Sequence, residues 1–185
     1  ETWESGTDNT FAWQYEGNQN WFVSTELPYE GSYCMESGDI NNSQVSTLKL
    51  VTNFSQAGDV SFMFKTSTEG SYDFLFFNVN NTNINSWSGE NSWTNYTYPV
   101  NAGSYTLRWK YTKDNVVSSG SDACWVDNII MPPSTNTFVV EENEASDMQL
   151  FPNPTNGHCR VQFTGDYDRL IVSKLFDVIG CICTN

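Results

Sequence analysis

The chain has 185 residues and a formal net charge of −14, from 22 acidic and 8 basic side chains. That balance excludes nucleic acid as a partner, because phosphate binding depends on Lys and Arg, and it suits hard cations, calcium above all, which take oxygen ligands. Aromatics reach 15% while charged residues stop at 16%, and Asn, Ser and Thr fill the polar positions, a composition for strands and turns rather than helices.

The predicted elements begin with Phe11-Ala12-Trp13-Gln14-Tyr15 and Trp21-Phe22-Val23, short strands separated by Glu16-Gly17-Asn18. Tyr33-Cys34-Met35 follows Gly31 and stops at Ser37-Gly38-Asp39. From Val45 to Val51 the period is two, with Val, Thr, Lys and Val on one side and Ser, Leu and Leu on the other. Val60 to Lys65 alternates as well, placing Val60, Phe62 and Phe64 toward a core. Tyr72 to Val79 is heavily apolar and reads as a central strand. Trp93 to Val100, Tyr105 to Tyr111 and Trp125 to Ile130 complete the set. Strands about a dozen residues apart with no helical period between them predict an all-β, two-sheet antiparallel jelly-roll sandwich. Met131-Pro132-Pro133 ends it, since consecutive prolines cannot continue a ladder. The domain is therefore expected over 1–133, followed by a polar, acidic linker over 134–147 and a short β unit over 148–185 with strands at Cys159 to Phe163 and Leu170 to Phe176.

Catalysis of the Ser-His-Asp or Cys-His kind needs an imidazole, and the one histidine, His158, lies in the C-terminal unit. Glycoside hydrolysis needs only two carboxylates. Jelly-roll glucanases carry them as Glu-x-Asp, and no aspartate here has a glutamate two residues before it. No phosphate-binding glycine loop is present. The reading is a protein that is not an enzyme. No apolar run approaches the roughly 20 residues of a membrane-spanning helix, so membrane insertion is not expected. Nor does a basic-then-apolar leader open the chain, so Glu1 is read as a mature N-terminus or the cut edge of a longer protein. Cys34, Cys124, Cys159, Cys181 and Cys183 contain no CxxC pair and fit an oxidising compartment with one or two disulfides.

Several blocks in order resemble the cleaved-adhesin domains of gingipain-type proteins, which are related in fold to MAM domains. They are Trp3-Glu4-Ser5-Gly6 with Phe11-Ala12-Trp13, then Gly31 to Ser37, then Phe62 to Glu69 with Tyr72-Asp73-Phe74-Leu75. Ser86-Trp87-Ser88-Gly89-Glu90 with Trp93, Gly103 to Asp114, and Gly120 to Ile129 complete the match over about residues 1 to 133. The tail, through Phe151-Pro152-Asn153-Pro154 with Gly157 and Phe176-Asp177-Val178-Ile179-Gly180, is similar to the type IX secretion sorting domain of Bacteroidetes. Cys181 stands where that family has a basic residue.

The adhesin resemblance implies a structural calcium where the first and last strands meet. Glu4 and Asp127 are its expected ligands, with Asp8, Glu30 and Asp122 as further candidates. It also implies a disulfide between Cys34 and Cys124, on strands that this topology makes neighbours. Trp87 and Trp93 flank Ser88-Gly89-Glu90 as candidate ligand-binding aromatics. The function expected is a non-catalytic adhesin-like module, secreted or on a bacterial cell surface, binding glycans or host and matrix proteins through its loops. A self-assembling subunit of a filament or surface layer is the alternative. A glycan- or protein-degrading enzyme, or an accessory domain of one, is the third reading.

Overall fold

The structure is a computed structural model that describes residues 1–7, 11–134, 149–151 and 160–162. The chain divides into two units, Glu1–Phe138 and Val139–Asn185. In the first, ten strands run in chain order: β1 (Trp13–Gly17), β2 (Phe22–Ser24), β3 (Cys34–Glu36), β4 (Val45–Phe54), β5 (Gly58–Ser67), β6 (Phe74–Val79), β7 (Thr82–Ser88), β8 (Glu90–Val100), β9 (Gly103–Thr112) and β10 (Ala123–Ile130). They form two antiparallel five-stranded sheets, ordered β1-β4-β9-β6-β7 and β2-β3-β10-β5-β8. This is the predicted all-β sandwich, consistent with a jelly roll. In the second unit β11 (Gln149–Phe151) pairs antiparallel with β12 (Arg160–Gln162). The strand expected at Leu170 to Phe176 and the motif at Phe176 to Gly180 lie outside the described residues.

Alternation builds the core, because successive side chains of a strand point to opposite faces. Leu48 and Leu50 of β4, Val60, Phe62 and Phe64 of β5, Leu75 and Phe77 of β6, and Leu107, Trp109 and Tyr111 of β9 are all buried between the sheets. Outward positions are polar, as where Glu16 holds Lys49 at 2.7 Å and Arg108 at 3.1 Å across three strands. The sequence reading lacked β7. Its hairpin turns on Asn80 and Asn81, both at positive φ (49° and 68°), between the paired residues Val79 and Thr82. Two central residues at positive φ define the type I′ turn that matches strand twist, and asparagine tolerates that conformation. No helix among the described residues is long and apolar enough to cross a membrane.

β3 and β10 are neighbours, as the resemblance implied, yet Cys34 and Cys124 form no disulfide: both are buried free thiols. Register explains the correction. Trp125 pairs with Glu36 and Val126 with Met35, so Cys124 points into the inter-sheet core. Cys34 points the other way and packs with Ala123 and Trp125 on the outer face. Burial pushes the Cys34 thiol up to about 12, with Asp127 and Glu36 adding to it, and holds Cys124 well above its ordinary range. Thiols so poor in thiolate do not react. Alkylation of the native chain is therefore expected to leave both unmodified, and alkylation in denaturant to label both, as read by peptide mapping. A Cys34–Cys124 disulfide peptide would contradict this arrangement.

Candidate functional site

The β2–β3 connection, residues 25–33, is held from below by two carboxylates. Asp127 lies where the β10 register shifts, and Asn128 beside it has φ 46°. Such a bulge re-aims side chains, and here Asp127 is fully buried beneath the loop. Its Oδ2 accepts the backbone N–H of Tyr29 at 3.0 Å and of Glu30 at 3.5 Å, while Oδ1 accepts that of Asn128 at 2.7 Å. Glu4 holds the next stretch: Ser32 N–H reaches both its oxygens, at 3.1 and 3.0 Å, and Tyr33 N–H reaches Oε1 at 3.1 Å. Between these two anchors sits Gly31 at φ 66°, where any Cβ would run into the Glu4 carboxyl. Glycine is what lets the carboxylate approach the backbone so closely.

Burial pushes Asp127 up to about 6, against the three N–H groups that favour its charged form, with Glu30 adding repulsion. The Glu1 ammonium donates to the Ile129 carbonyl, and burial lowers its pKa while its own carboxylate and Asp127 raise it. A positive charge thus already lies in the field of two carboxylates. Glu1 Oε2 is buried with no hydrogen-bond partner.

The loop so fixed presents aromatic surface. Tyr29 is 44% exposed, and its ring meets Trp93 edge-on, with centroids 5.9 Å apart at 62°. Trp93 donates its indole N–H to the Leu27 carbonyl at 3.1 Å, binding β8 to the loop. Leu27, at φ 58°, exposes half of its side chain beside them. Trp87 does something else. It lies in β7, stacks on Phe64 at 4.1 Å and 29°, and meets Phe62 and Tyr96 edge-on, so its ring belongs to the core. Trp87 and Trp93 therefore do not share a patch.

The expected metal ligands separate in the same way. Glu4 sits in a turn ahead of β1 rather than on a strand, and its oxygens are taken up by Ser32 and Tyr33. Glu30 lies on the loop above Asp127. Asp122 is elsewhere, bonded to Lys113 and to the Tyr111 hydroxyl at 3.0 Å. Asp8 lies outside the described residues. Among the described residues no three acids around Asp127 come close enough to share an ion; Glu30 is its repelling neighbour, and Glu1 Oε2 is buried without a partner. Sequence reasoning missed Glu1, Tyr29 and Leu27. The pattern Leu27-Pro28-Tyr29 after Glu26 carries no periodic signal, and only the Asp127 anchor shows which way the tyrosine faces.

Two five-stranded antiparallel sheets face to face, with an aromatic loop from β2–β3 tethered to β10 and β8 of one of them, form a β-sandwich of the jelly-roll kind. Residues 1–140 match the family described as ELAPOR1-like, galactose binding domain, and the chain belongs to that family. Among solved structures, the K3 cleaved adhesin domain of Lys-gingipain from Porphyromonas gingivalis is similar at a TM-score of 0.52 and 11% identity, covering 70% of this chain and 94% of that one. TmCBM61 in complex with β-1,4-galactotriose is similar at 0.50 and 12%, covering 69% and 91%. The secreted serine protease VesC from Vibrio cholerae matches at 0.49 and 16% over 63% of this chain, which spans 24% of that protein's length. No curated protein sequence matches the chain. At these identities the likeness is one of fold, and it bears out the adhesin resemblance at that level.

Proposed function

We propose that the chain is a non-catalytic, galactoside-binding module of a secreted or cell-surface protein, and that the Tyr29–Trp93 edge is its contact surface. One observation carries the reading: an exposed tyrosine ring, set against a tryptophan, on a loop whose backbone is already fixed by Asp127 and Glu4. A sugar's apolar face stacks on such a ring. A loop ordered before binding loses little entropy on contact. Beside Tyr29, the exposed Glu30 offers acceptors to sugar hydroxyls. The family, ELAPOR1-like, galactose binding domain, supports galactose-containing glycans as the ligand class. The TmCBM61 complex with β-1,4-galactotriose is consistent with that class. A structural calcium bound at Asp127 beside Glu30 would offset the repulsion between them and stiffen the loop.

The test is calorimetric titration of β-galacto-oligosaccharides into the chain, its Tyr29→Ala variant and Tyr72→Ala as a control. Tyr72 is 59% exposed and lies in the β5–β6 connection. Tyr29→Ala is expected to weaken binding at least about tenfold, the equivalent of roughly 1.4 kcal/mol, with Tyr72→Ala unchanged. Equal binding by all three would remove the site from this edge. Binding to a matrix protein but to no glycan would replace the ligand class with a protein.

A further inference from the structure

The β5–β6 connection (68–73) and the start of the β9–β10 connection meet at one end of the first sheet, because Phe74 pairs with Thr112. There the Asp114 N–H donates to Asp73 Oδ1 at 2.8 Å, and the Asp73 N–H donates to the Glu69 carbonyl at 3.1 Å. The Thr68 hydroxyl donates to the Asp73 carbonyl at 3.1 Å and closes the turn. Within this frame one carboxylate oxygen from each of Glu69, Asp73 and Asp114 comes within 4.8 Å of the other two.

Asp73 is fully buried, yet its Oδ2 has no hydrogen-bond partner, and neither has the buried Oε2 of Glu69. Buried carboxylate oxygens are ordinarily satisfied, since an unpaired one carries its full desolvation cost. The Lys113 ammonium lies in their field but gives its hydrogen bonds elsewhere, to Asp122 and to the Ser118 hydroxyl at 2.7 Å. Three acids thus converge with two oxygens free, and the one cation named in their field is already paired with Asp122.

We propose that Glu69, Asp73 and Asp114 form a calcium site that ties the β5–β6 connection to the β9–β10 connection. Oxygens on opposite sides of a calcium bound at about 2.3–2.6 Å stand roughly 5 Å apart, so the carboxylate spacing matches a shared ion. Backbone carbonyls and water supply the remaining ligands of a six- to eight-coordinate ion. Magnesium is the poorer match, since it holds its own waters and is usually bound through one or two carboxylates. The proposal does not rest on the glycan reading or on the Asp127 anchor, which uses a different set of residues.

The experiment is calorimetric titration of calcium chloride into the chelator-treated full chain, with Glu69→Gln and Asp114→Asn alongside. Glu69 is half-buried and its Oε2 accepts no bond, so Glu69→Gln preserves the fold. One calcium-binding event is expected to disappear or weaken at least about tenfold in both variants. The melting rise with calcium should shrink with it. Identical stoichiometry and affinity in all three chains would overturn the proposal. So would Glu69→Gln raising the melting temperature in chelator while calcium gave the wild-type chain no added stability, because protons would then be settling the repulsion.

Discussion

Replacing Trp109 with alanine is expected to remove about 3–5 kcal/mol of folding stability, read from urea or thermal unfolding of the full chain. Trp109 sits on β9 at the middle of the first sheet and is fully buried. Its ring centroid lies 5.9 Å from Trp13 on β1, 5.3 Å from Phe77 on β6, and 5.3 Å from Phe62 on β5. The last of these belongs to the opposite sheet, so one side chain links both layers of the sandwich. Truncation loses the transfer energy of the indole and leaves a cavity that rings on rigid strands cannot collapse to fill. Trp109→Phe should cost much less, because the indole N–H has no hydrogen-bond partner to lose. Against the ordinary 5–15 kcal/mol of a domain, the alanine change removes a large share. A loss below about 1 kcal/mol would mean that this ring is not the hinge of the core.

The inward face of each long strand was legible because a period of two needs no tertiary knowledge. Val60, Phe62 and Phe64 were assigned to the core from spacing alone, and all three are buried. β7 was illegible for a compositional reason. Thr82-Asn83-Ile84-Asn85-Ser86-Trp87-Ser88 resembles loop in its side chains, and only the Asn80-Asn81 turn marks it as the return arm of a hairpin. The cysteine pair shows a different limit. Sequence order made β3 and β10 neighbours, but which face a residue takes depends on register, and one position turns every side chain over. Glu4 and Asp127 were singled out as partners across a metal. What the fold displays is that both reach the same loop, through backbone N–H groups that no side-chain pattern encodes.

Replacing Asp127 with alanine is the second large effect, about 3 kcal/mol, together with release of the 25–33 loop. The change leaves the N–H groups of Tyr29, Glu30 and Asn128 without their acceptor. Each stranded donor costs about 1–3 kcal/mol where water cannot reach it, less where the loop opens to admit it. Asp127→Asn keeps one acceptor oxygen and should cost less, and it also isolates the charge. In the folded chain the Asp127 carboxyl titrates near 6 rather than at its ordinary 3.8. A carboxyl whose folded pKa is raised binds its proton more tightly in the native state. Its contribution is therefore fully present below the ordinary value, is lost as pH climbs toward about 6, and is level above that. Wild type should accordingly lose stability relative to Asp127→Asn between pH 4 and pH 6, in chelator, and hold a constant difference from pH 6.5 to 8. Calcium bound at Asp127 favours the ionised form, so its addition should flatten or reverse the wild-type slope while leaving the asparagine variant unmoved in that window. Parallel profiles for the two proteins would mean that the Asp127 carboxyl is held ionised in the fold, by its three N–H donors and the Glu1 ammonium, and that the loop needs no further cation.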